Sequence, residues 1–318
     1  METIRLIIAL IIAFVLGAAI TGAEIPVLQR KQMGQNIRED GPESHKKKAG
    51  TPSMGGIAII IAIVITAIGF GGFNQETIFC CAVTLAFGLV GFSDDYIKVI
   101  RKNNLGLRAW QKFLLQVVFA VIIGLLAANM IGTDVYIPFA DKYVDFGIWF
   151  IPFVAFTVVA MTNAVNLTDG LDGLASGCTM IAGLFFGLTA STLGNNSSAV
   201  FGIAVAGACL GFLMFNKNPA KVFMGDTGSL ALGGALTAVS VTTKMELMLI
   251  IVGLVYVIEA LSVIIQVISF QTTGKRVFRM SPIHHHFELG GMREKKVVLM
   301  FWLFTLVCAL IGFAIVGF

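Results

Sequence analysis

Charge is what this sequence has least of. Only 13% of its 318 residues are Asp, Glu, Lys or Arg, against roughly 25% in ordinary soluble domains. With 57% hydrophobic residues and a mean hydropathy of +0.90, the chain excludes a water-soluble globular enzyme and reads as an integral membrane protein. Cysteine is scarce too. Cys80, Cys81, Cys178, Cys209 and Cys308 all lie in apolar runs and form no Cys-x-x-Cys pair, which excludes a disulfide framework and a zinc site and leaves small buried hydrophobes. Seven prolines leave the apolar runs mostly unbroken, while 35 glycines suit helices that pack closely in lipid. Repeats, low-complexity tracts and linkers are missing, so residues 1–318 are expected to form a single integral membrane domain. The first apolar run has no convincing small-residue cleavage site and is followed by further runs. It is expected to stay as a helix rather than be removed as a signal peptide.

What is present is a series of runs near membrane length, about 20 residues. Ten candidates stand out: Ile4–Ile25, Met54–Phe70, Thr77–Asp94, Phe113–Ile131, Ile148–Met161, Leu174–Leu193, Val200–Phe215, Ser229–Val241, Met245–Phe270 and Val297–Phe318. The fifth and eighth are short, and are expected to tilt or to start inside neighbouring polar loops. As one helix the ninth would be about 39 Å long at 1.5 Å per residue, more than the hydrocarbon core of about 30 Å. It is expected to bend or break, its C-terminal part leaving the bilayer beside a groove for a lipid chain. With ten spans, 19 of the 22 Lys and Arg residues fall on one side; only Arg5, Lys142 and Lys244 fall on the other. The positive-inside rule makes the crowded side cytoplasmic. The expected fold is therefore all-α, a polytopic helical bundle of about ten transmembrane helices, with both termini outside.

The four histidines and the carboxylates next to apolar runs, Asp94, Asp95, Asp169, Asp172 and Asp226, fall on the cytoplasmic side. An active site is expected on that face, whereas a transporter or lipid flippase would place polar groups nearer mid-membrane. Asp226 stands between Gly225 and Gly228, at the lip of an apolar run with Asn216, Lys217 and Lys221 upstream. A carboxylate there is costly unless paired, which marks a functional site with a cation as partner; an N-cap of the next helix is the plainer reading. Asp94 and Asp95 end the third run, at the unfavourable end of a helix dipole. They call for a metal or for Lys98, one helical turn on from Asp94. Asp169 and Asp172, in Asn163–Gly173, would share a face if helical, and their loop has no cation of its own; Asp172 could instead cap the sixth span. Lys46-Lys47-Lys48 before Gly50-Thr51-Pro52-Ser53-Met54-Gly55-Gly56 suits a phosphate, although a juxtamembrane basic patch on anionic lipid headgroups is the commoner arrangement. His284, His285 and His286 cannot all face one way, so three-histidine zinc binding is a weak reading; histidine can also donate to phosphate or shuttle a proton. Glu259, Ser262 and Gln266 share a face of the ninth run, as helix–helix contacts or as ligand contacts.

Lys48 with Gly50–Gly56, the Asp94-Asp95 pair, Asn163–Gly173, Pro219–Ser229 and Pro282-Ile283-His284-His285-His286-Phe287-Glu288, in this order, resemble the polyprenyl-phosphate N-acetylhexosamine-1-phosphate transferase superfamily and look most like its muramyl branch. The resemblance runs from about Arg30 to Glu288. It departs at Ser53, where Thr is expected and the hydroxyl is kept.

The resemblance implies a reaction: UDP-N-acetylmuramoyl-pentapeptide passes its phospho-sugar to undecaprenyl phosphate, giving UMP and the first lipid-linked intermediate of peptidoglycan synthesis. It implies Mg²⁺ as cofactor with Asp226 as ligand, Asp94 positioning or deprotonating the lipid phosphate, and Asp95 and Lys98 in support. Lys48, Asn166, Asp169, Gly170, Leu171, Asp172, Asn216, Phe223, Gln266, His284, His285 and His286 become nucleotide-sugar-pocket residues, with Phe223 able to stack on uracil. A homodimer in contact with membrane lipid is implied; a nucleic-acid partner is not. The sister enzymes that use UDP-N-acetylglucosamine would share the aspartates but not the triple-histidine loop.

Overall fold

The computed structural model describes residues 2–31, 50–101 and 106–317. Lys48 and the rest of its basic run lie outside them. Without water, backbone groups must be satisfied within each spanning segment, and every candidate run is helical. The helices are α1 (Glu2–Arg30), α2 (Gly56–Thr66, continued by a π turn over Ala67–Gly71), α3 (Gln75–Arg101), α4 (Ala109–Met130), α5 (Phe150–Thr168), α6 (Leu174–Thr192), α7 (Asn196–Asn216), α8 (Gly225–Thr242), α9 (Met248–Val252), α10 (Leu254–Thr273), α11 (Ile283–Leu289) and α12 (Glu294–Val316). Eight helices among the described residues are long and apolar enough to cross a membrane, and the chain is a polytopic helical membrane protein.

α7 and α8 form the centre. Nearly every side chain of α8 from Thr227 to Thr242 is buried, because its Gly, Ala, Ser and Thr residues let α3, α5 and α2 approach its backbone. α1 packs on α7 by the same means: Ala9, Ala13, Gly17 and Thr21, four residues apart, are its buried stripe, and Gly17 lies against Ala208. α1, α4, α10 and α12 keep apolar outer faces, such as Ile4, Ile8, Leu114, Val118, Ile264, Ile268, Leu303 and Leu310.

Three details differ from the sequence expectation. The eighth run starts inside its polar loop, as expected, but the fifth instead continues into its following loop as far as Thr168. The ninth does break, but at Gly253, between α9 and α10, rather than toward its C-terminal part; α10 runs unbroken through Ser262 and Gln266. A small antiparallel hairpin, β1 (Asp134–Ile137) with β2 (Lys142–Asp145), joins α4 to α5. Tyr136 faces Tyr143 across it, the rings 5.5 Å apart.

The helix ends sort onto two faces. On one, the ends of α3, α4, α5 and α8 meet through Asp95, Lys112, Asn166 and Asp226. On the other, Glu2 meets Asn196, Asn74 meets Ser197 and Asn195 meets Thr242. An up-and-down bundle follows, with the aspartate–lysine cluster at the first face.

Candidate active site

Three chain turns make this face. Gly55 and Gly56 donate their N–H groups to the carbonyls of Phe223 and Met224, and Phe223 donates to Pro52. The glycine-rich approach to α2 is thereby fastened to the loop that leads into α8. Gly225 opens α8 at φ +70°, where a Cβ would crowd Asp95; this is a position that favours glycine on both counts. Asp226 follows it, in the first turn.

Asp94, Asp95 and Asp226 come together with ligand oxygens within 4.8 Å of one another. Two ammonium groups hold them. Lys98 Nζ lies 2.6 Å from Asp94 and 3.0 Å from Asp226, and 3.7 Å from Asp95. Lys112 Nζ lies 2.7 Å from Asp226. Asn166, at the end of α5, donates its amide to the other oxygen of Asp226 and to Ser229. Three carboxylates against two ammonium groups leave a formal charge of −1 in a mostly buried setting, which a divalent cation together with anionic ligands would complement.

Asp226 is not the N-cap of α8. It sits inside the first turn, and the residue before the helix offers no side-chain cap. Asp95 performs that task from a neighbouring helix: it accepts the N–H groups of Asp226 and Thr227 and the Thr227 hydroxyl, at 3.2, 2.9 and 2.7 Å. A carboxylate on the orphan N–H groups of a helix start is also favoured by the helix dipole. Asp94 accepts the Leu107 N–H at 2.8 Å, so the start of the segment leading to α4 closes over it. All oxygens in this cluster are hard donors of the kind a divalent metal takes, and those of Asp226 are held only by side-chain ends. The cluster can hold a metal ion.

The wall beside the cluster is built from the α5–α6 turn. Helix α5 ends at Thr168, so Asp169 and Asp172 lie in a turn and not on one helical face. Asp172 is 3% exposed and accepts from Asn218 Nδ2 and the Ala220 N–H; it does not cap α6, whose start has no side-chain cap. Its own N–H donates to Glu294 at the start of α12. Asn216 accepts from the Gly173 N–H and the Ser176 hydroxyl and donates to the Val222 carbonyl. Leu171 is buried, while Asp169, Gly170 and Phe223 are partly open. Gln266 binds the backbone of Val277 and Phe278 and so ties α10 to the loop before α11.

The three histidines diverge along α11. His284 is fully buried against Glu259 at 3.0 Å. His285 packs against it with the rings tilted by 59° and their centroids 4.1 Å apart, and meets Glu288 at 2.8 Å. His286 accepts the Arg279 N–H. Lys112 was missed as a site residue by sequence reasoning. It stands in the first turn of the fourth helix, at the same membrane boundary as the aspartates, and that position is the signal that was available.

The sequence pattern of Glycosyl transferase family 4 matches residues 77–244, and a phospho-N-acetylmuramoyl-pentapeptide-transferase signature matches residues 48–60. The chain is 52% identical to the phospho-N-acetylmuramoyl-pentapeptide-transferase of Shouchella clausii over 98% of both chains. It is 50% identical to the enzyme of the same name from Desulfitobacterium hafniense, over 96% of this chain and 94% of that one. With the Staphylococcus carnosus enzyme it shares 50% identity over 95% of this chain and 96% of that one.

Proposed function

This chain belongs to glycosyl transferase family 4 and, within it, to the phospho-N-acetylmuramoyl-pentapeptide-transferases, and on that premise we propose that it transfers phospho-N-acetylmuramoyl-pentapeptide from UDP to undecaprenyl phosphate, giving lipid I and UMP. It acts as a multi-pass transferase of the bacterial membrane in peptidoglycan synthesis. The observation that carries the reading is the convergence of Asp94, Asp95 and Asp226 with Lys98 and Lys112 from three helices.

Both substrates bear phosphates, so their repulsion must be offset before they can react. Lys98 and Lys112 begin that work. Their ammonium groups now rest on Asp226, and an incoming phosphate competes for them as a stronger acceptor with more charge. Their transfer to phosphate frees Asp226. An oxygen of the lipid phosphate then attacks the sugar-side phosphorus of the donor. The bond from that phosphorus to the UMP oxygen breaks, and UMP leaves with the electron pair. Asp94, held by Leu107, positions the lipid phosphate. That phosphate is largely ionised at neutral pH, so direct attack needs no strong base. Mg²⁺, with Asp226 as its ligand, would screen phosphate charge and stabilise the leaving group when bound.

Donor recognition falls to the wall. Phe223 offers a ring face to uracil. Asn166, Asp169, Gly170 and Leu171 form its near side, with Asp172 and Asn216 behind them. His285 and His286, with Gln266 holding their loop, face the sugar and phosphates; Lys48, which the resemblance assigns to donor binding, lies outside the described residues. An apolar cavity of about 230 Å³ between α10, α11 and α12, lined by Val255, Ile258, Ile283, Phe287 and Phe304 among others, suits isoprene units. The charge split supports a topology of ten crossings with this face in the cytoplasm and both termini outside; labels at Lys217 and Arg276 should react only from inside, and one at Lys142 only from outside. A homodimer fits the apolar outer faces.

The test is lipid I formation by the purified protein with each donor. Transfer from UDP-N-acetylmuramoyl-pentapeptide is expected. Transfer only from UDP-N-acetylglucosamine would assign the chain to the sister activity, and transfer from neither would defeat the proposal.

A further inference from the structure

One carboxylate outside the acidic cluster is fully buried and half unpaired. Glu259 lies on α10 and His284 in the first turn of α11; both side chains are 0% exposed. His284 Nδ1 stands 3.0 Å from Glu259 Oε1. The far atoms of the pair, Glu259 Oε2 and His284 Nε2, have no hydrogen-bond partner among the described residues. Burying such atoms unsatisfied is costly, and each such case asks for an explanation. The position of His284 Nε2 supplies one. It abuts Gly170 so closely that a Cβ on that residue would overlap the ring. Gly170 is the middle of the α5–α6 turn, between Asp169 and Leu171. Three segments distant in sequence thus meet through one ring: α10 through Glu259, α11 through His284 itself, and the turn through Gly170. The same ring packs at a tilt against His285, whose Nδ1 meets Glu288.

We propose that Glu259 is a positioning residue: by holding His284 against Gly170 it sets the place of the Asp169–Leu171 backbone and the tilt of His285, and so the affinity for the nucleotide-sugar donor. This rests on the donor wall assigned above. His284 makes no contact with substrate in this role, because its ring is enclosed on all sides. Gly170 is required for contact as well as for shape, since any side chain there would push the ring off the turn. The carboxylate serves as an acceptor that fixes the Nδ1–H tautomer; an amide oxygen at the same place can do the same.

The experiment uses the purified full chain, with donor KM, lipid KM and kcat measured separately and folding checked by thermal unfolding. Glu259→Ala and Gly170→Ala are each expected to raise donor KM about tenfold or more, while lipid KM and kcat stay within about threefold of wild type. Glu259→Gln keeps an acceptor at Oε1 and should remain within about threefold for donor KM. Glu259→Ala combined with His284→Ala should be no worse than His284→Ala alone, because the two act as one unit. A folded Glu259→Ala with unchanged donor KM overturns the proposal, as does an equal rise in both KM values. If Glu259→Ala does not fold, Glu259→Gln and Gly170→Ala decide: a Gly170→Ala protein with wild-type donor KM overturns it. A wild type that uses only UDP-N-acetylglucosamine defeats the donor assignment but not this comparison, which is then made with that donor.

Discussion

Asp95 and Asp226 stand within one cluster, yet they are held in different ways. Asp95 is 5% exposed, and with Lys98 farther off at 3.7 Å its hydrogen-bond partners are two backbone N–H groups and a hydroxyl in the first turn of α8. Those groups cannot move unless the helix moves. The partners of Asp226 are the ends of Lys98, Lys112 and Asn166, which need only rotate. A buried carboxylate committed to a helix start is scaffold, and one held by long side chains is a seat that a metal or phosphate can take over. On this difference we propose Asp95 as scaffold and Asp226 as the ligand seat.

The strongest way to break that distinction is Asp226→Asn. The change keeps the size and removes the charge that the lysines and metal share. Turnover should fall by about 10³-fold or more, roughly 4 kcal/mol of transition-state stabilisation, with little change in thermal stability. UMP release measured against metal concentration reads it. Near-normal metal-dependent turnover would show that Asp226 is not the seat. Next in size is Lys112→Met, which leaves Lys98 alone on that oxygen. Turnover should fall about 10- to 100-fold, and added salt should not restore it. An unchanged rate would make Lys112 only a counter-ion. Asp94→Asn belongs to the same range, but metal affinity should survive it.

Asp95→Asn probes the other half of the comparison. The amide can accept with one oxygen only and carries no charge toward the start of α8. The loss should appear first as stability, about 1–3 kcal/mol, read as a lower unfolding temperature in detergent. An Asp95→Asn protein as stable as wild type but unable to bind metal would make Asp95 a ligand and not a cap.

Much of this site was legible in the sequence because its signals were local. Asp94 and Lys98 are one turn apart, and their pairing follows from helical spacing alone. Asp226 was marked by a charge at an apolar boundary, and the gathering of acids on one face by the Lys and Arg split. What the spacing could not show was direction across the bundle. Asp95 caps a helix 131 residues away, and nothing in its neighbourhood says so. Asp172 was read as a cap or a ligand, yet it braces the Asn218–Ala220 loop. The break at Gly253 was expected from length, but its place was not, because the segment's polar residues, Ser262 and Gln266, find partners within α10 and in the following loop.

The smallest predicted effect separates scaffold from chemistry most cleanly. Thr227→Val is close in shape and removes one of the three donors to Asp95, the hydroxyl at 2.7 Å, while both backbone N–H groups remain. Thr227 is 1% exposed, so no water replaces the lost bond. Its charge-assisted character puts the cost at about 1–2 kcal/mol. Two donors suffice to keep Asp95 on the helix start, so Asp226 should keep its place. The expected result is a lower unfolding temperature, a metal titration midpoint within about twofold of wild type, and turnover reduced by no more than about threefold. The alternative is that Asp95 shares the metal. The methyl group would then leave its Oδ2 with one donor fewer and a greater hold on the cation, and the titration midpoint would move by more than about twofold on top of the same loss of metal-free stability. The metal titration of this one variant therefore separates the two assignments, and thermal unfolding without metal confirms that the bond was lost.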